Sequence, residues 1–200
     1  MMPDKACLRR RFLKRRRGLS ESQCRALSQA IFRNISQLPI FIAARTIGLY
    51  LPIQQEVDPT PLIAWAHRQG QSLFFFFFLG LSGVMNFLPY APGDPLCKGA
   101  FGILEPCVEQ RVSEAVTAEK AHELDLLITP LVAFDRRGVR LGYGGGYFDR
   151  FLQKAREKGG EKPFGLGIAY AIQEAQALPR ETHDCLLSGV VTELETVFFT

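Results

Sequence analysis

The sequence predicts an α/β domain in which a mostly parallel sheet is covered by helices on both faces. Short apolar runs typical of strands alternate with capped or amphipathic helical segments along the 200 residues, without an internal repeat or a low-complexity linker. The composition, 47% hydrophobic and 22% charged, is that of a globular protein, and the length suits one sizeable core. We therefore expect a single domain over residues 1–200 that begins with a basic helix over residues 3–17.

The first half of the chain supplies clear element boundaries. Ser20 and Gln23 form a capping box, and an apolar stripe from Cys24 to Leu38 predicts a helix that ends at Pro39. The run TIGLYL, residues 46–51, predicts a strand. A short helix should follow, with Thr60 as its N-cap and Pro61 in its first turn, and end at Gly70.

The stretch from Leu73 to Leu88 is the one candidate for a membrane segment. It is shorter than the ~20 residues that a helical span needs, and it contains glycines and Asn86. Five consecutive phenylalanines, Phe74–Phe78, instead favour a strand buried on both faces.

The second half continues the alternation of strands and helices. Residues 90–106 form a loop without clear periodicity, whose length suggests a functional segment or a lid. Strands are predicted over residues 124–134 and 164–170 and in the C-terminal run VVTELETVFF, with a helix from Tyr147 to about Gly159. Ligands of such sheets bind beyond the carboxyl ends of the strands.

The segment RLGYGGGYFDR, residues 140–150, places four glycines and a carboxylate in one turn. Glycine can adopt positive φ, so successive N–H groups can approach a phosphate closely, and the helix that follows would favour an anion at its N-terminus. Asp149 would lie in the first helical turn, where a carboxylate can hold Mg²⁺ shared with phosphate oxygens. The segment matches neither a P-loop nor a dinucleotide fingerprint, and a flexible surface loop is the alternative.

Basic residues are concentrated at the N-terminus. Residues 1–17 hold eight Lys or Arg and one Asp, which gives this segment a charge of +7. Since the net charge of the whole chain is +4, the remaining residues carry −3. The run RRRFLKRRR suits a solvated helix face, nucleic acid, a membrane surface, an import signal or a phosphate-bearing ligand. Because the rest of the chain is slightly acidic, nucleic acid is disfavoured.

The cysteines are odd in number and have no C-x-x-C spacing. This pattern disfavours a disulfide framework or a zinc site and indicates a reducing cytoplasm. The five are Cys7, Cys24, Cys97, Cys107 and Cys185.

Several segments occur in the order found in one enzyme family. They are Lys5 with Leu8 and Arg9, YLP at 50–52 followed by Glu56, FGILEP at 101–106, DLLITPLVAFDRRGVRLGYGGGYFDRFL at 125–152, and GIAYAIQ at 167–173 followed by His183 and Asp184. Through them the chain resembles the 5-formyltetrahydrofolate cyclo-ligase (5,10-methenyltetrahydrofolate synthetase) family over nearly its whole length, and the central stretch is the most specific.

The resemblance implies a ligase of one-carbon folate metabolism. Such an enzyme uses ATP and Mg²⁺ to convert 5-formyltetrahydrofolate to 5,10-methenyltetrahydrofolate, with release of ADP and phosphate. A formamide oxygen is a poor leaving group, so ATP phosphorylates it before the neighbouring folate nitrogen attacks the activated carbon. The protein mainly positions the substrates and neutralises the charge of the phosphates. The resemblance also implies a cytoplasmic monomer that binds these small molecules and neither nucleic acid nor a membrane.

Site residues carry over by position. The resemblance assigns ATP contacts to Lys5, Arg9, Arg140, Leu141, Gly142, Tyr143, Gly144, Gly145, Gly146, Tyr147 and Phe148. It assigns folate contacts to Leu51, Glu56, Tyr143, Gly144, Gly145, Gly146 and Tyr147, with Glu56 accepting hydrogen bonds from the pterin N–H groups. Asp149 and Asp184 would hold Mg²⁺, whereas no catalytic residue is assigned and His183 receives no role.

The chain departs from the family pattern at two places. Gln71 and the phenylalanine run stand where the family commonly has Lys and a strand ending in Leu-Pro-Val, which puts a folate contact near that strand in doubt. Phe148 replaces a frequent tyrosine and so cannot donate a proton.

Two other functions fit parts of the sequence. One is a nucleotide-dependent binding or regulatory protein without ligase chemistry, and the other is an RNA-associated protein that uses residues 5–17. Retention of Glu56, Asp149 and Asp184 together favours the enzyme.

Overall fold

A computed structural model describes residues 4–78, 84–99, 102–107, 112–157 and 162–199. The helices among them are α1 Lys5–Arg17, α2 Glu21–Ser36, α3 Pro39–Ala43, α4 Thr60–Arg68 and α5 Tyr147–Glu157. The strands are β1 Thr46–Leu49, β2 Ser72–Phe78, β3 Met85–Tyr90, β4 Leu96–Lys98, β5 Leu104–Pro106, β6 Leu126–Thr129, β7 Ala133–Phe134, β8 Arg140–Leu141, β9 Phe164–Ile168, β10 Gly189–Val191 and β11 Thr196–Phe198. Short 3₁₀ helices span Val112–Glu114, Ala118–Glu123 and Ala171–Gln173.

The central sheet has seven strands in the described part of the chain, in the order β11-β10-β9-β6-β1-β2-β3. The five strands from β10 to β2 are parallel, and β3 and β11 add antiparallel edges. This arrangement confirms the predicted single α/β domain with a mostly parallel sheet.

Helices cover both faces of that sheet, as predicted. On one face, Ile31 and Ile35 of α2 and Phe41 of α3 share a buried cluster with the β1 side chains of Ile47 and Leu49. On the other face, the buried residues of α5 pack with Phe87 of β3 and Leu127 of β6. The sheet is therefore the middle of three layers, and the ends of its strands remain free to carry a site.

Several predicted boundaries are wrong by one or more residues. Helix α2 ends at Ser36, before Pro39. Pro39 begins α3, because proline is well suited to a first helical turn. Helix α4 starts at Thr60, so the N-cap is Pro59 and not Thr60 as predicted. The N–H and hydroxyl of Thr60 both donate to Asp58.

The apolar run from Leu124 to Phe134 is two strands and not one. Strand β6 ends at Thr129, before Pro130, and β7 leaves the central sheet to pair with β8 in a separate antiparallel ribbon. Proline lacks the N–H that a continuing ladder would need. The predicted loop over residues 90–106 likewise contains a second ribbon, β4 with β5.

The phenylalanine run forms β2, but its two faces differ. Leu73, Phe75 and Phe77 are buried, whereas Phe74, Phe76 and Phe78 are only half-buried. The prediction of a strand is confirmed, and that of burial on both faces is wrong for the second face, because Phe76 and Phe78 line a cavity.

No helix in the described ranges is long and apolar enough to cross a membrane. Within the candidate segment Leu73–Leu88, the described residues belong to β2 and β3 or lie just before β3, and residues 79–83 lie outside the described part.

Cys97 and Cys107 form a disulfide, which corrects the expectation drawn from cysteine spacing. The antiparallel pairing of β4 and β5 sets Cys97 opposite Glu105, and the N–H of Cys107 donates to Pro95, so the two thiols meet across the ribbon. Sequence spacing alone does not reveal this strand register. The cysteines therefore no longer indicate a reducing compartment.

Candidate active site

One cavity of about 980 Å³ opens at the carboxyl ends of the parallel strands. Tyr50 and Leu51 line it directly after β1, and Pro130 lines it directly after β6. All the site residues predicted from the sequence line this same cavity: Lys5, Arg9, Leu51, Glu56, Arg140, Leu141, Gly142, Tyr143, Gly144, Gly145, Gly146, Tyr147, Phe148, Asp149 and Asp184. The fold thus brings together residues from opposite ends of the chain.

The glycine loop connects β8 to the N-terminus of α5, where the sequence placed it. Gly144 and Gly146 have φ of 110° and 64°, whereas Gly142 and Gly145 do not occupy that region. Gly145 is required for another reason, since a Cβ there would lie 2.3 Å from the Tyr147 ring. Two of the four glycines therefore serve backbone conformation, and a third makes room for an aromatic side chain.

Two arginines hold the loop by its carbonyl groups. Arg9 Nε donates to the Gly142 oxygen at 2.8 Å, and Arg150 donates to the Gly145 oxygen at 2.8 Å. Within the described ranges, the N–H groups of residues 142–146 donate no hydrogen bond. The loop is thus braced through its acceptors, and its donors remain available to an anion.

Arg140 lies beneath this loop in an ion pair with Asp149. Its Nη2 donates to Asp149 Oδ1 at 2.9 Å, and its side chain is 3% exposed. Its Nη1 is buried and has no hydrogen-bond partner among the described residues. A buried guanidinium with an unused donor in a cavity wall suits a phosphate oxygen.

Lys5 and Asp184 form the second ion pair of the cavity. Lys5 Nζ lies 2.7 Å from Asp184 Oδ2 and 3.3 Å from Glu181 Oε2. Burial alone would raise the pKa of Asp184, but hydrogen bonds from Lys5 and from the Glu181 N–H hold that pKa below its usual value. Asp184 is thus kept ionised, as a metal ligand must be.

The two carboxylates predicted to hold Mg²⁺ are near neighbours. The N–H of Cys185, which follows Asp184, donates to Asp149 Oδ1 at 3.2 Å. Asp184 also belongs to a group with Glu181 and His183 whose possible ligand atoms lie within 4.8 Å of one another, and Asp149 is outside that group. The oxygen-rich donor set fits a hard divalent cation.

Glu56 is a buried carboxylate, 6% exposed, in the loop after β1. Oε2 accepts from the Ile53 N–H at 2.9 Å, whereas Oε1 is buried and has no partner among the described residues. Burial raises the pKa of Glu56 to about 7, against the opposing effects of the Ile53 N–H, Arg16 and Tyr143. An unpaired acceptor in this wall suits a ligand that donates N–H groups.

The sequence model of the 5-formyltetrahydrofolate cyclo-ligase family matches residues 1–193. The chain belongs to this family. It is 35% identical over 179 residues to 5-formyltetrahydrofolate cyclo-ligase of Escherichia coli (strain K12), with 89% of this chain and 94% of that one covered. With the Haemophilus influenzae cyclo-ligase the identity is 31% over 185 residues, covering 92% and 95% of the two chains.

A solved structure supports the assignment independently. The NMR structure of 5,10-methenyltetrahydrofolate synthetase from Aquifex aeolicus superposes with a TM-score of 0.80 at 33% identity, covering 97% of this chain and 92% of that one. The chain is therefore an enzyme of the cyclo-ligase family, and the cavity at the strand ends is its candidate active site.

Two side chains of the phenylalanine run belong to the apolar wall of the cyclo-ligase cavity. Phe76 and Phe78 line the cavity. The Phe76 ring lies 5.9 Å from that of Phe148, and the Phe78 ring lies 4.7 Å from that of Tyr147, both in edge-on contact. The departure from the family pattern thus supplies ring surface to the site.

Sequence reasoning missed these rings, although the period of two along a strand was the signal that could have found them. It also missed other lining residues, most of which come from loops and offer no comparable pattern, while Ala6 lies in α1 and Met85 in β3. The missed residues are Asp4, Ala6, Tyr50, Ile53, Phe76, Phe78, Met85, Ile103, Pro130, Pro179, Glu181 and His183.

Proposed function

We propose that this cyclo-ligase converts 5-formyltetrahydrofolate to 5,10-methenyltetrahydrofolate in an ATP- and Mg²⁺-dependent reaction. The formyl oxygen attacks the γ-phosphorus of ATP, and ADP leaves. N10 of the folate then attacks the activated formyl carbon and loses its proton, and the C–O bond breaks to release phosphate. This order turns a poor leaving group into a good one before the ring closes.

The ATP phosphates are assigned to the glycine loop and its basic neighbours. The free N–H groups of residues 142–146, the positive end of α5 and the unused Nη1 of Arg140 all favour an anion in the same part of the cavity. Arg9 acts mainly through the loop, because its Nε is engaged by Gly142, while Nη1 and Nη2 lie near Gly144.

The folate is assigned to the side of the cavity that holds Leu51 and Glu56. The free Oε1 of Glu56 would accept a hydrogen bond from the pterin amino or ring N–H groups. Phe76 lies on β2 next to the strand that leads into this loop, since Leu49 pairs with Phe75. The pterin therefore meets both an acceptor and an aromatic surface.

Asp149 and Asp184 are assigned to Mg²⁺. When bound, the ion would neutralise charge on the phosphate oxygens during transfer. Each aspartate has one oxygen engaged by a basic side chain, which leaves Asp149 Oδ2 and Asp184 Oδ1 as candidate ligand atoms. Lys5 and Arg140 hold the two carboxylates in place.

The observation that carries the proposal is that one cavity is lined by a buried donor and a buried acceptor that both lack a hydrogen-bond partner among the described residues. The donor is Arg140 Nη1 and the acceptor is Glu56 Oε1. The test is to mix the purified chain with Mg·ATP and 5-formyltetrahydrofolate and follow the absorbance band of methenyl-folate. We expect the band to grow only when both substrates and Mg²⁺ are present. Well-folded protein that binds ATP without forming product would instead support a regulatory role.

A further inference from the structure

Arg16 differs from the rest of the basic run in α1. It is 1% exposed, whereas Arg15 and Arg17 on either side are exposed. A solvated helix face was one of the functions considered for the run, and Arg16 departs from it because the α1 periodicity turns it inward, on the same side as Leu8 and Phe12.

The Arg16 guanidinium donates to three acceptors on three separate segments. Nε donates to the Gln54 oxygen at 3.1 Å, and Nη1 donates to the Leu131 oxygen at 3.3 Å. Nη2 donates to the hydroxyl of Tyr143, whose ring centroid lies 5.8 Å from the guanidinium carbon. A planar fork fixes the directions of its donors, so it also fixes these acceptors relative to one another.

Two of these segments carry the two halves of the proposed site. Gln54 belongs to the loop that presents Glu56, and Tyr143 belongs to the glycine loop. The Glu56 loop needs an external brace, because Gln54 and Gln55 adopt φ of 46° and 60°, which costs energy for residues with a Cβ.

The Tyr143 hydroxyl lies between the halves. It accepts from the Arg16 guanidinium, and burial together with the charge of the nearby Glu56 carboxylate raises its pKa to about 12. Arg16 itself is not among the described residues that line the cavity. Any influence on bound substrates must therefore pass through the groups that it holds.

We propose that Arg16 is a positioning residue that holds the Glu56 loop and the glycine loop in the relative placement needed for phosphoryl transfer between the two substrates. This role rests on the function proposed above. Each half would still bind its own substrate without Arg16, but the formyl oxygen and the γ-phosphate would align less often, which lowers kcat more than it raises either KM.

The test compares Arg16→Gln with Arg10→Gln, a change at an exposed arginine of the same helix. We expect Arg16→Gln to lower kcat by about tenfold or more, with each KM within about threefold of the wild-type value. Arg16→Lys, which keeps the charge but not the fork, should recover only part of kcat. An unchanged kcat in Arg16→Gln, or an equal loss in Arg10→Gln, would overturn the proposal.

Tyr143→Phe provides a second test that does not remove a buried charge. It deletes only the hydroxyl through which Arg16 reaches the glycine loop. We expect a smaller loss of kcat, and a double variant with Arg16→Gln that is less impaired than the product of the two single losses. Losses that simply multiply would refute the link through Tyr143.

The two proposals can fail separately. An inactive wild-type chain would overturn the proposed function and the role of Arg16 together. An active wild-type chain with an unaffected Arg16→Gln variant would overturn the role of Arg16 alone.

Discussion

Lys5 Nζ lies 2.7 Å from Asp184 Oδ2, which ties the first helix to a loop 179 residues away. The two residues were predicted to serve different ligands, Lys5 the ATP phosphates and Asp184 the metal. In the structure each neutralises the other. Occupation of Asp184 by Mg²⁺ would weaken its attraction for Lys5 and so release the ammonium toward a phosphate, which couples metal binding to nucleotide binding.

Lys5→Met should therefore weaken ATP binding and also make it less dependent on Mg²⁺. Lys14→Met is the matched control, because Lys14 is an exposed lysine on the same helix. Calorimetric titration of ATP at several Mg²⁺ concentrations should show a loss of about tenfold or more for Lys5→Met and almost none for Lys14→Met. Equal losses would assign the effect to the overall charge of α1.

Asp184→Asn should lose most turnover at ordinary Mg²⁺ and recover in part at high Mg²⁺ or with Mn²⁺, with a melting temperature near that of the wild type. Asp149→Asn should lose turnover and also stability, on the order of 3 kcal/mol, because it leaves the buried Arg140 without its anionic partner. The control is Glu119→Gln, which removes the carboxylate of an exposed pair with Lys154. Full activity of Asp184→Asn with unchanged Mg²⁺ dependence would remove Asp184 from the metal site.

Gly144→Ala should abolish most ATP affinity, because its φ of 110° is unfavourable for alanine and a Cβ would lie 3.4 Å from the Arg9 guanidinium carbon. Gly93→Ala imposes a similar strain at φ 100° in a turn that does not line the cavity. Both changes should cost roughly 1 to 2 kcal/mol of stability, measured by chemical denaturation. If Gly93→Ala impairs ATP binding as much as Gly144→Ala, the loss reflects general strain and not the phosphate loop.

Glu56 should make both stability and folate binding depend on pH. Its pKa is about 7 in the folded chain against a reference of 4.5, so the folded state holds the proton more tightly. Stability should then fall as pH rises between these values, by up to about 3 kcal/mol, and Glu56→Gln should lack this part of the fall.

The same group should act in the opposite direction on binding. The ionised carboxylate is the better acceptor, so KM for 5-formyltetrahydrofolate should rise as pH drops below about 7 in the wild type. In Glu56→Gln that KM should be higher throughout and nearly independent of pH. Parallel pH profiles for the two proteins would exclude Glu56 as the titrating group.

Phe76→Leu should raise KM for 5-formyltetrahydrofolate several-fold, because it removes ring surface from the cavity wall. Phe77→Leu makes the same change one residue along β2 at a fully buried side chain. That variant should lose about 1 to 2 kcal/mol of stability with an unchanged KM. Steady-state kinetics and thermal unfolding of both variants distinguish the cavity face of β2 from its core face. A raised KM in Phe77→Leu alone would instead assign Phe77 to the folate site.

The arrangement of the elements was largely predictable because it depends on local patterns. The capping box at Ser20 and Gln23, the apolar stripe of α2 and the turn before α5 each depend on residues close in sequence. The errors lie where a distant partner decides. Pro130 diverts the apolar run into β7, whose partner is β8, and Cys97 meets Cys107 only through the register of β4 and β5. The monomeric state and the cytoplasmic location stay predictions.

The sequence by itself determined the family and the α/β class and predicted the site residues, because these depend on residue types in a recognisable order. Only the tertiary structure decided what those residues do to one another. The spacing of four from Leu8 and Phe12 places Arg16 on the buried side of α1, but only the packed structure shows that it meets Gln54, Leu131 and Tyr143. Hydrogen-bond partners depend on packing between segments that are far apart in the chain, and no local pattern encodes them.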